Sequence, residues 1–533
     1  MNLSTLVNKR VLLATITFLW LAPSAYATDW YVAPSGTDVT EGGQGTSTAL
    51  PFRTIQYAQD QCEPGDRVFV MNGTYRNQGY GTGNRNNPPV VRINKSGTPD
   101  RYIVIRNLPN HQPRIEFDGA GGFIAGSSIN YVKIIGFDIY GPNADITEAE
   151  ALERRLDDPR LDYYNGSGIA FWGPSHHIQV RSCQVYDCPG SGIRANQADY
   201  VTFADNIVAR TCWYSAAGPS AMVIAQAQPI DQNEDFKIIV ERNRVYDNRN
   251  FVPIYLLNTQ PGDYGGPDYS RIVDGRGIYM TRNPDYTFGK YLIRNNITYD
   301  NGFGGITFHI SQNGRIINNT LYRNGADGGE RQGITIAKAQ NLEVFNNIVY
   351  ARGKGAIHNN TFAGTSSNIT LRNNLLYNGE TDFEGENYVT EDPQFEAPTD
   401  ANFRLTTTSP AIDQSNFGTP TDFYNTERPQ GGTFDLGAIE YVPASSAAGA
   451  NSPNDSQLII YPNPARSGQP VTLALDSPEE IQLEVIDFQQ QTLYSVQKAG
   501  KTLSVPTHRL RPGMYILRVS DEDKVTTHLL HIR

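Results

Sequence analysis

A short motif recurs along the chain and decides its fold. Each clear copy is an asparagine followed by two mostly apolar residues and a tyrosine: Asn296-Ile297-Thr298-Tyr299, Asn319-Thr320-Leu321-Tyr322, Asn347-Ile348-Val349-Tyr350 and Asn374-Leu375-Leu376-Tyr377. These copies follow one another at steps of 23, 28 and 27 residues. A repeat of this length, with short strands and no helical periodicity, indicates a solenoid in which each unit is one coil.

A second repeat, built on Gly-x-Gly-Ile or a close variant, runs beside the first. Its copies are Gly166-Ser167-Gly168-Ile169, Gly190-Ser191-Gly192-Ile193, Gly275-Arg276-Gly277-Ile278, Gly304-Gly305-Ile306, Gln332-Gly333-Ile334 and Gly355-Ala356-Ile357. Strands of stacked coils pair in parallel, so equivalent side chains lie above one another at about 4.8 Å. We therefore expect the asparagines to form an internal ladder. The gap of 85 residues between Ile193 and Ile278 is expected to hold one or two poorly matching coils and a long insertion.

Together the repeats resemble the right-handed parallel β-helix proteins of the pectate-lyase-like kind. The N-terminal cap and first coil of that group are similar to Trp30-Tyr31-Val32-Ala33-Pro34-Ser35-Gly36-Thr37 and Pro64-Gly65-Asp66-Arg67-Val68. Its closing segment is similar to Asp392-Pro393-Gln394-Phe395 with Ser409-Pro410-Ala411-Ile412-Asp413. The predicted fold class is all-β, with a right-handed parallel β-helix solenoid over residues 28–442 followed by a small C-terminal β-sandwich.

The C-terminal part of the chain is predicted to be a separate small domain. Residues 443–455 are rich in small residues and indicate a linker, whereas residues 456–533 alternate apolar and polar side chains over several short strands. The sequences Tyr461-Pro462-Asn463-Pro464 and Pro512-Gly513-Met514-Tyr515 resemble the C-terminal sorting domain of type IX secretion cargo. That resemblance implies the type IX secretion machinery as a partner and a secreted or cell-surface location. An accessory carbohydrate-binding module is the alternative.

The first 27 residues are predicted to be an export signal. Lys9-Arg10 precede an apolar run over residues 11–22, and the small-x-small step Ala25-Tyr26-Ala27 follows. The run is too short to cross a bilayer, and we expect no transmembrane segment later in the chain. The balance of 44 Lys and Arg against 55 Asp and Glu, a net charge of −11, disfavours a nucleic-acid binder. We expect a monomer.

One face of the solenoid is predicted to carry the chemistry. If the isoleucine of each Gly-Ile motif points inward, the outward side chains of those strands are polar, aromatic and cationic. Elimination at a uronate sugar needs a base, an acid and a cation that neutralises the carboxylate. We expect His309 to be the base or acid, Tyr279 its counterpart, and Arg194 or Arg276 the cation. Further substrate-binding residues are predicted to be Asn196, Trp213, Tyr214, Asp274, Thr307, Lys338 and His358.

These residues favour one reaction over its alternatives. A glycoside hydrolase needs two carboxylic acids, and this face offers only Asp274, which would need a partner from a loop. The resemblance implies action on an acidic polysaccharide, so the predicted function is a secreted polysaccharide lyase that cleaves a uronate-containing polysaccharide by β-elimination. A glycoside hydrolase and a noncatalytic glycan-binding surface protein are the alternatives. Calcium bridging a substrate carboxylate is a further option, but Asp157, Asp158 and Asp162 are interpreted as loop charges and no metal ligand is assigned.

Three of the four cysteines fall near the asparagine motif. Cys188 and Cys212 follow the same strand motif in adjacent coils, five residues after Cys183 and six after Asn206. The spacing of coils lies within the usual Cα separation of a disulfide, so a bridge between Cys188 and Cys212 is predicted. Cys183 takes the ladder position itself and is predicted to stay a buried thiol.

Overall fold

The computed structural model describes residues 27–443 except 85, 127, 158–161 and 330. In the C-terminal region it describes residues 459–461, 465, 468–474, 480–486, 492–499, 502–508, 510, 513–520 and 525–532. The predicted export signal, apart from its last residue, and all but the first residue of the predicted linker lie outside the described residues, as does Asp158.

Coils of short strands make up most of the described chain. In chain order the strands are β1 (Asp29–Val32), β2 (Arg67–Val70), β3 (Thr74–Arg76), β4 (Val91–Ile93), β5 (Ile103–Asn107), β6 (Arg114–Glu116), β7 (Gly121–Ala125), β8 (Asn130–Ile135), β9 (Asp138–Tyr140), β10 (Ser167–Phe171), β11 (Ser175–Arg181), β12 (Gln184–Tyr186), β13 (Ile193–Asn196), β14 (Ala198–Ala204), β15 (Ile207–Ala209), β16 (Met222–Ala225), β17 (Phe236–Glu241), β18 (Arg244–Tyr246), β19 (Ile278–Thr281), β20 (Lys290–Arg294), β21 (Ile297–Tyr299), β22 (Ile306–His309), β23 (Gln312–Ile317), β24 (Thr320–Tyr322), β25 (Ile334–Ala337), β26 (Gln340–Phe345), β27 (Ile348–Tyr350), β28 (Ile357–Asn359), β29 (Ser367–Arg372) and β30 (Leu375–Tyr377).

Each full coil contributes one strand to each of three parallel sheets. The site sheet has nine strands, in the order β4, β7, β10, β13, β16, β19, β22, β25 and β28. The second sheet has eleven, in the order β1, β2, β5, β8, β11, β14, β17, β20, β23, β26 and β29. The third sheet has ten, in the order β3, β6, β9, β12, β15, β18, β21, β24, β27 and β30. Every neighbouring pair is one coil apart, which confirms the predicted parallel β-helix.

The core follows from the alternation of side chains along each strand. The isoleucines of the Gly-Ile motifs have no exposed surface, and they pack in one continuous cluster with side chains of the other two sheets, among them Phe203 and Val185. Burying each such side chain contributes about 1.5–3 kcal/mol. The inward half of the alternation therefore stabilises the solenoid, and the outward half is available for function.

The predicted asparagine ladder is confirmed. It runs between the second and third sheets through Asn206, Asn243, Asn296, Asn319, Asn347 and Asn374, all buried. At each step the backbone N–H and the side-chain Nδ2 of one asparagine donate to Oδ1 of the next, over 2.9–3.0 Å. Cys183 starts the ladder, because its N–H donates to Oδ1 of Asn206, and its thiol is buried as predicted.

A second ladder, which the sequence analysis did not anticipate, lies five residues farther along the same coils. It joins Thr211, Asn248, Asn301 and Asn324, in which each backbone N–H donates to Oδ1 of the next residue over 3.0–3.3 Å. The side-chain Nδ2 atoms of Asn248 and Asn301 donate along the same line at 2.8 Å. Both ladders satisfy buried backbone groups where the chain leaves a strand.

The predicted disulfide is not formed in the structure, where Cys188 and Cys212, both described, are buried free thiols. Cys188 stands level with Thr211 in the second ladder, whereas Cys212 lies one residue beyond that position, with a φ of +75°. The Sγ atom of Cys212 lies 3.4 Å from Oγ1 of Thr211. The spacing of five residues in one coil and six in the next therefore puts the two cysteines out of register.

The 85-residue gap contains one coil and a long insertion, within the range expected. The coil consists of β16, β17 and β18, and the insertion covers residues 247–277. A second insertion, residues 141–166, follows β9. The helices are α1 (Ile55–Gln61), α2 (Glu148–Arg154) and α3 (Asp162–Asn165), with 3-10 turns at Glu41–Gly43, Asn143–Asp145, Thr361–Ala363 and Pro398–Asp400. The two insertions pack on each other and on the connection between β15 and β16, through Ile146, Ala151, Tyr164, Ala216 and Val252.

A closing segment covers the outer face of the third sheet. Its hairpin pairs β31 (Phe395–Ala397) with β32 (Asn402–Leu405) in antiparallel fashion. Phe395, Phe403, Leu436 and Ile439 pack there against the apolar residues of the asparagine motif. The tyrosines of that motif, such as Tyr299 and Tyr322, are thereby buried.

The C-terminal region forms two antiparallel sheets with a hydrophobic core of their own. The strands are β33 (Ile459–Tyr461), β34 (Val471–Ala474), β35 (Glu480–Ile486), β36 (Thr492–Ala499), β37 (Thr502–Val505), β38 (Gly513–Ser520) and β39 (Val525–Ile532). One sheet has the order β33-β34-β37 and the other β36-β35-β38-β39. Leu473, Leu483, Val505, Leu517 and Leu530 pack between them, as the alternating pattern predicts.

No helix in the described part of the chain is both long enough and apolar enough to span a bilayer.

Candidate functional site

Two columns of side chains project outward from the site sheet. The register of the strands places Arg194, Val223, Tyr279, Thr307, Thr335 and His358 in the first column. The second column, two residues farther along each strand, contains Asn196, Ala225, Thr281, His309 and Ala337. The structure therefore places six of the predicted site residues on one face. Val223 and Ala225 belong to the coil that matches the repeat poorly, and they separate Arg194 from Tyr279.

Tyr279 and His309 are in direct contact. The phenolic oxygen of Tyr279 lies 3.0 Å from Nδ1 of His309, and Oγ1 of Thr281 lies 2.8 Å from the same nitrogen. The two rings are stacked, with centroids 5.9 Å apart and planes inclined by 20°. Because two hydroxyl groups engage Nδ1, the nitrogen of His309 that can face a ligand is Nε2.

The surroundings of His309 keep its imidazole neutral. Burial and the positive charges of Arg276, Arg282 and Lys338 lower its pKa to about 4. Both causes penalise the imidazolium form, the first by removing water and the second by repulsion between like charges. At neutral pH His309 is therefore an uncharged group that exchanges hydrogen bonds with Tyr279 and Thr281.

Arg276 occupies the centre of the site. Its guanidinium carbon lies 4.3 Å from the centroid of the Tyr279 ring and 4.4 Å from that of Phe303, and its Nη1 donates to Oδ1 of Asp274 over 2.5 Å. Arg276 and Asp274 are only 8% and 7% exposed. Burial raises the pKa of Asp274, and the charge of Arg276 opposes that shift.

A tight turn holds this ion pair in place. Gly275, between the two charged residues, has a φ of +90°, and a Cβ atom at that position would lie 2.8 Å from the backbone nitrogen of Asn250. Glycine is the residue that adopts such a φ without strain. The Gly-x-Gly-Ile motif therefore sets the geometry of the pair as well as the start of β19.

Arg194 lies apart from the Tyr279–His309 pair. It stands two strands away from Tyr279, about 10 Å at the usual spacing. Its Nε donates to Oδ1 of Asn196 over 2.7 Å, and its guanidinium carbon lies 4.8 Å from the Trp172 ring, which is 40% exposed. Of the two arginines predicted as the neutralising cation, Arg276 is the one beside Tyr279.

Of the remaining predicted binding residues, Thr307 lies beside Tyr279 and the others lie at several different places. Trp213 and Tyr214, on the connection between β15 and β16, pack against Phe251 of the insertion over residues 247–277, with ring centroids 5.5 and 6.2 Å apart. Thr307 is buried beside Tyr279, Lys338 is exposed, and Nδ1 of His358 lies 2.8 Å from Oδ2 of Asp382.

The sequence analysis missed Phe303 and Arg331 in the turns that precede the site sheet. Both stand three residues before an isoleucine of the Gly-Ile motif, which is the position of Gly275 in its own coil. Extending these two shorter copies of the motif by one residue toward the N-terminus would have shown them. Arg282, whose charge reaches His309, directly follows Thr281 and carries no such signal.

The donor groups at this face do not fit a calcium ion. Calcium takes six to eight oxygen ligands, usually from several carboxylates. Asp274 is paired with Arg276, and Asp157, of the insertion, pairs with Arg154 at 3.2 Å. Across the described ranges no group of three or more His, Cys, Asp or Glu side chains is arranged to hold a metal ion.

Two family models match the chain. Residues 269–387 match the model described as "Right handed beta helix region", and residues 459–533 match the model described as "Secretion system C-terminal sorting domain". The solenoid is thus a right-handed parallel β-helix. The C-terminal region is a type IX secretion sorting domain, which directs the protein to a secreted or cell-surface location.

Several solved structures share the fold. "Crystal structure of pectate lyase Pel9A" is 15% identical to this chain. The match covers 78% of this chain and 97% of that protein's chain, with a TM-score of 0.44. "Rhamnogalacturonan lyase" is 14% identical over 72% of this chain and 97% of its own, with a TM-score of 0.38. "Glycoside hydrolase" is 10% identical, and the match covers 72% of this chain and 99% of that protein's chain, with a TM-score of 0.41. At these identities the similarities concern the fold alone. No curated protein matches the sequence.

Proposed function

We propose that this protein is a secreted polysaccharide lyase that cleaves a uronate-containing polysaccharide by β-elimination. The observation that carries the proposal is the contact of Tyr279 with His309 beside the guanidinium of Arg276. A hydroxyl group, a neutral imidazole and a cation are the three kinds of group that this elimination requires. All three lie on or beside the outward face of the site sheet.

The proposed reaction assigns one role to each group. Arg276 binds the carboxylate of the uronate and stabilises the negative charge that develops there as the C5 proton leaves. Nε2 of His309 accepts that proton, and Tyr279 donates its hydroxyl proton to the glycosidic oxygen. The C4–O4 bond breaks, and a C4–C5 double bond forms. The Nδ1 proton of the resulting imidazolium then passes to the Tyr279 oxygen, which restores the phenol and leaves a neutral imidazole protonated at Nε2. Exchange of that proton with water restores the starting tautomer of His309.

The low pKa of His309 has opposite effects in this scheme. It keeps the imidazole unprotonated and ready to accept a proton at neutral pH, but it also makes the imidazole a weak base. Arg276 compensates, because neutralising the substrate carboxylate makes the C5 proton more acidic. The same cation therefore lowers the pKa of the base and that of the carbon acid.

A glycoside hydrolase is the second candidate, and the raised pKa of Asp274 favours it. A buried carboxylic acid with a raised pKa is suited to protonate a leaving group. A hydrolase also needs a second carboxylate about 5–9.5 Å away. Asp382 contacts His358 from the coil after β28 and so lies four coils farther along the axis, about 19 Å. This distance favours the lyase.

Incubation with a panel of acidic and neutral polysaccharides tests the proposal. Ultraviolet absorbance of unsaturated uronate, together with new reducing ends, supports the lyase. New reducing ends without that absorbance contradict it and support the hydrolase with Asp274 as the acid. Binding of a polysaccharide without any new ends contradicts both enzymes and supports a glycan-binding surface protein.

A further inference from the structure

The ring of Phe303 is shared by two cations. The guanidinium carbon of Arg276 lies 4.4 Å from its centroid and that of Arg331 lies 4.9 Å from it. Arg276 precedes β19, Phe303 precedes β22 and Arg331 precedes β25, so the three residues come from three successive coils. Phe303 therefore stands between the two arginines along the axis of the solenoid.

The protein leaves both guanidinium groups incompletely bonded. The Nε atoms of Arg276 and Arg331 are buried and have no hydrogen-bond partner among the described residues. Arg276 has one carboxylate partner, Asp274, whereas Arg331 forms no ion pair within the described ranges. A buried N–H group without a partner is unfavourable. A ligand with acceptor oxygens would remove that penalty.

Positive charge is concentrated at this place in a chain of net charge −11. Burial lowers the pKa of Arg331, and the neighbouring charges of Arg276 and Arg271 lower it further. Arg276, Arg282 and Lys338 act on His309 in the same way. Cations that repel one another in the free protein are stabilised when an anion binds among them.

We propose that Arg331 binds a second anionic group, carried by the sugar next to the one whose carboxylate Arg276 binds. The substrate would then be a glycan with acidic groups on successive sugars. This inference rests on the proposed function of Arg276 and narrows its substrate class. The backbone positions of Arg276 and Arg331 are two coils apart, about 10 Å. The Phe303 ring lies between the two guanidinium groups, so one carboxylate cannot bind both.

An alternating polymer fits the pair of arginines less well. If every second sugar is neutral, the sugar next to the bound uronate offers no anion, and the buried Nε atom of Arg331 stays without a partner. A run of acidic sugars supplies one anion to each arginine. The preference for a polymer of consecutive uronates over an alternating one should therefore depend on Arg331. Removing Arg331 should weaken binding of the polymer of consecutive uronates specifically.

Binding to defined oligosaccharides tests this inference. The full chain with His309→Gln, which should not cleave, is titrated calorimetrically with hexasaccharides of galacturonate and of mannuronate, which are consecutive uronates. A hyaluronan hexasaccharide, in which uronate alternates with a neutral sugar, is the comparison. We expect at least one consecutive probe to bind about tenfold more tightly than the alternating probe, as one additional charged hydrogen bond allows.

Substitution of Arg331 tests whether this residue causes the preference. Arg331→Gln should weaken the favoured consecutive probe about tenfold and change the alternating probe less than about twofold, while Arg331→Lys should retain part of the preference. Arg404→Gln is the matched control, because Arg404 is an exposed arginine on the closing hairpin, stacked on Tyr424. It removes one positive charge from another surface and should leave all affinities unchanged.

The outcomes separate this inference from the proposed function. An Arg331-dependent preference for consecutive uronates, without unsaturated product from the wild-type chain, would support the role of Arg331 and overturn the lyase. Unsaturated product together with an unchanged preference in Arg331→Gln would overturn only the role of Arg331. Equal weakening of all probes, or no binding of any of them, would also overturn it.

Discussion

The phenolic oxygen of Tyr279 lies 3.0 Å from Nδ1 of His309, and this contact crosses from β19 to the neighbouring strand β22. Tyr279 is level with Thr307, and His309 is level with Thr281, so the contact runs diagonally between the two outward columns. Residues 30 positions apart in sequence meet because consecutive coils stack in register. A shift of one residue in either strand would turn one of the two side chains into the core.

Replacement of His309 by glutamine should abolish most of the activity. Glutamine can still exchange a hydrogen bond with Tyr279, but it cannot accept a proton from carbon. We expect kcat for the uronate polymer that the protein cleaves to fall at least about 100-fold. His176→Gln is the control, because His176 lies on β11 of the second sheet. Formation of unsaturated product measures both, and activity of His309→Gln within about threefold of wild type would remove His309 from the reaction.

Replacement of Tyr279 by phenylalanine isolates the role of its hydroxyl group. The ring, and therefore its stacking with His309 and Arg276, is retained, and only the proton donor is lost. We expect kcat to fall about 100-fold with KM nearly unchanged, as for a group that acts in the transition state. Tyr31→Phe, on β1, should have no effect. A rise in KM alone would make Tyr279 a sugar-binding platform instead.

The sequence predicted those features that the strand repeat controls. Stacking fixes equivalent positions, so the asparagine ladder and the outward placement of Tyr279, Thr307 and His309 follow from the period alone. The features that the sequence did not predict depend on the segments that connect the strands. The coil with Val223 separates Arg194 from Tyr279, and its weak match to the motif conceals that separation.

The contacts of side chains in the turns could not be predicted from the repeat either. Phe303 and Arg331 contact each other through side-chain directions that no strand periodicity sets. Trp213 and Tyr214, which the sequence predicts as substrate-binding residues, are half-buried and contact Phe251 through directions that the repeat does not set. Cys188 and Cys212 are out of register because Thr211, and not Cys212, occupies the position level with Cys188.

Protonation of His309 should destabilise the folded protein at acidic pH. Its pKa is about 4 in the folded state and about 6.5 in an unfolded chain, so the unfolded state binds more protons between these values. Stability from this residue is complete above about pH 6.5 and decreases as the pH falls toward 4. Between pH 7 and 4.5 the loss should be about 2 kcal/mol, allowing for partial exposure.

Urea unfolding of the wild-type protein and of His309→Gln at both pH values measures that contribution. The variant lacks the titrating group, so its free energy of unfolding should decrease less between pH 7 and 4.5, by about the same 2 kcal/mol. Equal decreases in the two proteins would show that His309 titrates with an ordinary pKa. This test does not depend on any enzymatic activity.

Replacement of Asn319 by alanine should destabilise the solenoid. Its Oδ1 accepts from the N–H and Nδ2 of Asn296, and its Nδ2 donates to Ile293 O and to Oδ1 of Asn347. Removing the amide leaves several buried groups unpaired, so we expect a loss of about 3 kcal/mol in the free energy of unfolding. Asn84→Ala, at an exposed asparagine, should change it by less than about 0.5 kcal/mol. Equal effects would contradict a stabilising ladder.

The four cysteines should behave as unreactive thiols in the native protein. Burial raises the pKa of Cys62 and of Cys183 to about 12, and it raises those of Cys188 and Cys212 as well. Little reactive thiolate is then present at neutral pH. We expect iodoacetamide to leave the native chain unmodified and to alkylate all four cysteines in guanidinium chloride without a reductant. A parallel sample unfolded with a reductant gives the full alkylation pattern. If Cys188 and Cys212 are alkylated only in that sample, the two residues form a bridge, contrary to the structure.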